Sequence, residues 1–408
     1  MEPLTETNAR AGRREWIGLA VLALGCVLYV MDLTVLHLAV PQISRDLRPS
    51  SAQLLWIIDI YGFMVAGSLI TMGSLGDRIG RRRLLMIGAA SFGVASVVAA
   101  LSRSAEMLIV TRALLGLAGA TLAPSTLSLI RNMFHDPRQR QTAIAVWITS
   151  FSVGAAIGPL LGGLVLEAFW WGAAFLLAVP VMALLLLLGP RLLPEYRDPT
   201  AGRPDLASAA LSLAAVLAAI FGLKQLAQDG WGWAPAVAIV GGAALGGAFV
   251  RRQRRLADPL IDLRLFRAPG FSAALATYGL GVVIVFGGFL FLPQYLQLVL
   301  GLSPLEAGLW TVPWALAFVV GSQLTPRLAR RFHPASLMAG GMVLAAAGFA
   351  AFVRLDEASG FPLFLAGSVI FSLGLAPVFT LAIDLIVGVA PPERAGAASG
   401  IAETAAEL

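Results

Sequence analysis

The 408 residues are 58% hydrophobic and 13% charged, with a mean hydropathy of +0.83, where soluble domains carry about 25% charge; the chain reads as a polytopic membrane protein. Its net charge of +6 is spread through short loops, not gathered in a patch beside exposed aromatics, which argues against nucleic acid as a partner. A single cysteine, Cys26, excludes a disulfide framework, a thiolate metal site and a Cys-x-x-Cys redox pair. The one lysine, Lys224, lies outside any G-x-x-x-x-G-K phosphate loop, so ATP hydrolysis within this chain is excluded too. No enzyme activity, cofactor or metal is expected, and energy must come from a gradient or another subunit.

The chain opens with Arg10, Arg13 and Arg14, then an apolar run that passes Asp32 and reaches Val40, too long for a signal-peptide core. Apolar runs able to cross about 30 Å of hydrocarbon fall at roughly 16–40, 54–75, 84–101, 107–130, 141–166, 169–190, 205–227, 234–250, 270–298, 305–325, 335–353 and 362–389, and a thirteenth begins near Ala395. With the N-terminus inside, loops threaded alternately place 23 basic residues on the cytoplasmic side and 4 outside, with Arg112 and Lys224 within spans. Basic residues gather on the cytoplasmic side of membrane proteins, so the asymmetry predicts a cytoplasmic N-terminus.

Between spans two and three stands G-S-L-G-D-R-I-G-R-R-R, from Gly73 to Arg83. Gly73, Gly76 and Gly80 permit tight turns and close helix approach, while Asp77, Arg78, Arg81 and Arg82 supply charge. This stretch resembles the loop between spans two and three of the major facilitator superfamily, G-x-L-(G/A)-D-R-x-G-R-(R/K)-x, at every specified position. The segment Ser322 to Phe332 echoes it at a constant offset of 249, as parallel six-span repeats would. The first copy follows span two and the second span ten, so two extra spans sit between the halves. That layout resembles the fourteen-span drug:proton antiporters. It implies an all-α bundle of residues 1–200, an inserted pair of spans over 201–267, and a second bundle, 268–408, that stops partway through span thirteen as a truncated form would.

Span five carries G-A-A-I-G-P-L-L-G-G, placing Gly154, Gly158 and Gly162 four apart on one helical face. Small faces let membrane helices approach closely, and Pro159 removes a backbone donor. With Gly163 included, the string resembles the antiporter motif G-x-x-x-G-P-x-x-G-G, which implies export over uptake.

Asp32 lies about eight residues, roughly 12 Å, inside the outer end of span one, where a bare carboxylate is costly and marks a paired or functional group. Its surroundings, Met31 to Pro41, resemble the family's L-D-x-T-V-x-N-V-A-L-P signature, with His37 in place of the asparagine, read here as a packing histidine. Asp59 in span two and Arg112 in span four lie at similar depth, so the three can neutralise one another. Arg112 sits in a stretch resembling l-x-x-x-R-x-x-x-G-x-x-G, whose arginine the resemblance implicates in proton coupling. Glu403 and Glu407 are spaced i, i+4 in E-T-A-x-E-L, resembling span thirteen of the quaternary-ammonium and dye exporters. Asp384, near the inner end of span twelve, reads as structural or interfacial. Trp56, Tyr61 and Trp147 can stack on a cation, although Trp56 and Tyr61 read first as outer-belt anchors.

The expected function is proton-coupled efflux of hydrophobic cationic drugs, dyes or quaternary ammonium compounds across the cytoplasmic membrane, by a monomer with protons, small-molecule substrates and the lipid bilayer as partners and no nucleic acid. Asp32, Asp59, Arg112, Glu403 and Glu407 would couple proton to substrate, and the Gly73–Arg82 turn would gate, with Asp77 against the start of span thirteen near Arg394. Two other readings are a specific exporter of an endogenous metabolite and a non-transporting membrane scaffold.

Overall fold

A computed structural model describes residues 10–197, 205–256, 259, 261, 263–355, 360–389, 401–402 and 404–405. Among them, twelve helical spans are long and apolar enough to cross a membrane, each where hydropathy predicts one. Spans one to three are single helices: α1 (Arg13–Leu47), α2 (Ser51–Ile79) and α3 (Arg81–Ala100). Span four is broken into α4 (Ala105–Gly119) and α5 (Leu122–Met133), with the Thr121 hydroxyl donating to Ala118 O at 2.7 Å in the break. Span five is α6 (Pro137–Ala168), and span six joins the short α7 (Ala173–Leu176) to α8 (Ala178–Leu192).

The inserted pair is α9 (Leu206–Asp229) and α10 (Trp233–Gln253), followed by α11 (Pro269–Gln294). Pro293 removes a donor near the end of α11, and the helix widens into a π-helical turn over Tyr295–Val299. Then come α12 (Pro304–Leu328), α13 (Pro334–Phe352) and α14 (Gly360–Val389).

The helix ends follow from local chemistry. Ser50 caps α2 by accepting from Gln53 N at 3.2 Å while Gln53 Oε1 accepts from Ser50 N at 2.8 Å, a reciprocal box that satisfies two donors. Ser303 and Glu306 repeat the device at α12, with Pro304 set at its first turn. Between α2 and α3 the chain reverses through Gly80 at φ 111°, a left-handed conformation that a side chain resists.

The chain folds as two compact units, residues 1–33, 47–157 and 172–213 in one and 34–46, 158–171 and 214–408 in the other. In the first, α3 packs along α4 and α8, and α2 along α4. In the second, α14 lies against α11, α12 and α13. The α13–α14 seam is backbone against backbone: a Cβ on Gly374 would stand 2.5 Å from Ala345 N, and one on Gly348 2.5 Å from Phe371 N. Beyond α14, Ile401 and Ala402 are helical and join a buried cluster with Phe271, Tyr278, Val282 and Ile386, at the place where the sequence predicts the thirteenth span.

Candidate proton and substrate site

The strongest polar feature of the first unit is a buried ion pair. Arg112 is fully buried, and its Nη1 donates to Asp32 Oδ2 at 2.5 Å. The rest of its fork is occupied as well: Nε donates to Ile57 O at 3.1 Å and Nη2 to Ile58 O at 3.2 Å. The guanidinium lies over the Tyr61 ring, 4.8 Å from its centroid, a cation–π contact. Arginine suits this role because its planar fork presents five donors in fixed directions. Asp59, half-buried, follows directly after the two carbonyls that the arginine grips.

The glycines downstream of Arg112 explain how its side chain reaches α2. A Cβ on Gly116 would collide with the Tyr61 carbonyl oxygen, and one on Gly119 would stand 2.9 Å from the Tyr61 hydroxyl and 3.4 Å from the Tyr29 ring. Small residues one and two turns along the helix therefore draw α4 onto α2 and α1. The R-x-x-x-G-x-x-G spacing is the imprint of that approach.

An aromatic path continues from the pair. Tyr61 faces Tyr29 at 6.0 Å between ring centroids, Tyr29 meets Phe151 edge-on at 6.2 Å, and Phe151 meets Trp147 edge-on at 4.8 Å. The Trp147 indole donates to Thr126 Oγ1 at 2.9 Å, and Cys26 Sγ lies 3.7 Å from the same oxygen. Tyr61, expected in the outer belt, is instead fully buried, because its ring covers the arginine cation. The parts of this path that sequence reasoning passes over are Tyr29 and Phe151. Their signal is spacing: Tyr29 shares a face with Asp32 at i, i+3, and Phe151 with Trp147 at i, i+4.

The glycines of span five serve two neighbours. Gly154 lies against the α1 backbone at Val27, where a Cβ would be 2.5 Å from the carbonyl oxygen. In the second unit, a Cβ on Gly162 would stand 2.7 Å from Val35 of α1, and one on Gly163 2.6 Å from Pro304 O. Gly308 of α12 in turn approaches the carbonyl of Pro159. Gly158 and Pro159 are buried. Close by, Gln42 donates to Leu166 O at 2.9 Å and Gln297 to Leu38 O at 3.2 Å. His37 is buried and stacked on Phe289, centroids 6.0 Å apart and planes 19° apart, as a packing histidine would be.

In the turn after span two, Gly76 and Arg81 are buried and Arg78 is exposed. A Cβ on Gly76 would press on the Arg81 side chain at 2.9 Å, and Gly73 faces Pro124 loosely. The Asp77 side chain, Glu403, Glu407 and Arg394 lie outside the described residues, as does the expected contact of Asp77 with span thirteen. The structure therefore brings Asp32 and Arg112 into contact, sets Asp59 beside their anchor, and keeps the span-five motif as a packing face of its own.

Comparison with known proteins agrees with this architecture. The family model described as the Major Facilitator Superfamily matches residues 22–408. The chain is 46% identical over 404 residues to the multidrug efflux pump LfrA of Mycolicibacterium smegmatis, covering 99% of this chain and 80% of that protein. It is 36% identical over 402 residues to the methyl viologen resistance protein SmvA of Salmonella typhimurium, covering 97% and 80%. Among solved structures, a peptide transporter POT in complex with sulfate superposes with a TM-score of 0.70 at 21% identity, over 96% of this chain and 86% of that one, a likeness of fold. Twelve apolar helices among the described residues, the motifs at the Gly80 turn, Arg112 and span five, and relatives that span nearly its whole length make this chain a multi-pass membrane protein of the Major Facilitator Superfamily, a family of transporters and not of enzymes.

Proposed function

We infer that the protein exports hydrophobic cationic compounds in exchange for protons. The observation that carries this reading is the Arg112–Asp32 pair, buried in the first unit and flanked by the Tyr61–Tyr29–Phe151–Trp147 path. A buried carboxylate is costly unless compensated, and here one arginine supplies the compensation. A proton and a cationic substrate therefore compete for the same carboxylate, and each weakens the hold on the other, the reciprocal coupling that exchange requires. The half-buried rings of Phe151 and Trp147 supply faces on which an organic cation can stack. The names of the relatives, an efflux pump and a methyl viologen resistance protein, support substrates of this class, methyl viologen being an aromatic dication.

In this reading Asp59, Glu403 and Glu407 are further proton carriers. The turn with Gly73, Gly76, Asp77, Arg78, Gly80, Arg81 and Arg82 is the gate, and Gly154, Gly158, Pro159, Gly162 and Gly163 form the face that slides or locks. The bundles 1–200 and 268–408 rock alternately with 201–267 inserted between them, and the protein works as a monomer in lipid. The basic asymmetry of the loops supports the cytoplasmic membrane and an inward N-terminus.

The test is accumulation of a fluorescent cation such as ethidium in cells expressing the protein, with and without a proton uncoupler. Low accumulation that rises to the control level with uncoupler is the expected result. Accumulation equal to control cells in both arms contradicts cation export, and low accumulation unmoved by uncoupler contradicts proton coupling.

A further inference from the structure

The residues after span six form a clasp on the turn between α2 and α3. Glu195 Oε1 accepts from Arg82 N at 3.0 Å, and Glu195 Oε2 lies 3.6 Å from Arg82 Nε. A Cβ on Gly80 would stand 2.5 Å from the same Oε1, so the absent side chain makes room for the carboxylate as well as allowing the left-handed turn. Tyr196 O accepts from Arg81 N at 2.9 Å. Arg82 Nη1 reaches back to Leu193 O at 3.0 Å and Pro190 O at 3.3 Å, and Arg197 Nη2 donates to Ile79 O at 3.3 Å.

Helix-end electrostatics explains why these groups meet. α3 begins Arg81-Arg82-Arg83, with no acid in its first turn and no side-chain cap, so three cations crowd the positive end of the helix dipole. Glu195 supplies from beyond the end of α8 both the missing acid and a missing acceptor for the first amides. Arg82 in turn supplies the cation and donors that the last carbonyls of α8 need, and Arg197 does the same for the end of α2. Three helix ends are thus satisfied by one another.

We propose that Glu195 is a positioning residue of the transport cycle: it fixes the Gly80 turn to the inner end of span six, so that the turn and α8 move as one body. This rests on the transport reading above and adds a residue to it. Glu195 lies 113 positions from its partner in the chain.

The experiment compares Glu195→Ala and Glu195→Gln with the native protein, using ethidium in inverted vesicles energised by a proton gradient. Turnover per molecule and the ethidium Kd are measured, together with the melting temperature in detergent. Loss of a helix cap and its dipole partner is expected to lower turnover of Glu195→Ala about fivefold. Glu195→Gln keeps shape and an acceptor but not charge, and should lose about twofold. In both, the Kd should stay native and the Gln variant should melt like the native protein. Native turnover in Glu195→Gln overturns the proposal, as does a Kd weakened by the same factor as turnover. A native protein that moves no ethidium overturns the transport reading instead.

Discussion

A Cβ on Gly116 would collide with the carbonyl oxygen of Tyr61, so α4 and α2 touch backbone to backbone one turn away from the Arg112 fork. Gly116→Val should therefore push the helices apart and withdraw the guanidinium from Ile57 and Ile58. Overpacking of this kind costs about 1–3 kcal/mol. We expect a lower melting temperature in detergent together with lost efflux, whereas Gly241→Val, on α10 where a Cβ meets open space, should leave both near native. Equal behaviour of the two variants refutes the packing account.

Removing Arg112 leaves Asp32 buried without its cation. Arg112→Ala is expected to destabilise the first unit by about 3–5 kcal/mol, the usual cost of breaking one partner of a buried pair. Arg112→Lys keeps the charge but not the fork, since an ammonium cannot hold Asp32 and two helix carbonyls in plane, and should be less stable than native but better than alanine. Combining Arg112→Ala with Asp32→Asn should recover part of the loss, because the charge left behind is gone. A double variant no more stable than Arg112→Ala alone would dismiss the pairing as the source of the cost.

Asp32→Asn is expected to abolish proton-coupled efflux of cations while sparing binding of a neutral ligand, and Asp32→Glu to keep partial activity. The readout is proton release on adding substrate to purified protein at low buffer strength. Undiminished release from the Asn variant would move the coupling to another acid, Asp59 or Glu407.

Orientation is open to a direct check. Trp231, 85% exposed, lies between α9 and α10, and Arg254 is exposed beyond the end of α10. Cysteines at the two positions, with Cys26 buried and silent, should differ in intact cells: an impermeant thiol reagent should label position 231 and not 254. Label at 254 alone reverses the orientation, and label at both contradicts α10 as a span between them.

Gly163 and Gly308 each face a neighbouring backbone in the second unit. Gly163→Val or Gly308→Val should stop export and lower the melting temperature as Gly116→Val does, since each added side chain would meet a backbone carbonyl that cannot swing aside. Native export in both would reduce the span-five motif to a passive seam.

The spans, the turn at Gly80 and the ion pair are unequally legible in the sequence. Twelve apolar runs are readable because length and hydropathy decide whether a segment can live in lipid. The breaks at Thr121 and in span six, and the π turn at Tyr295–Val299, are not, since hydropathy averages over a window longer than the break. Asp32 and Arg112 stand out because charge in lipid is conspicuous. Tyr61 misleads because an interfacial ring and a ring covering a buried cation have the same local sequence. Glu195 is invisible for another reason: a helix end satisfied from 113 residues away leaves no periodicity to detect.

Where α13 and α14 meet, Gly348, Gly374 and the amides of Phe371 and Ala345 stand atom against atom. Attraction there comes from backbone that every residue type possesses, so no replacement can improve the seam and any added carbon only widens it. The tolerance of this pair of helices to substitution is consequently one-sided. The outward face, where Val343 is 72% exposed, can exchange one apolar residue for another freely, while the inner stripe can only hold still.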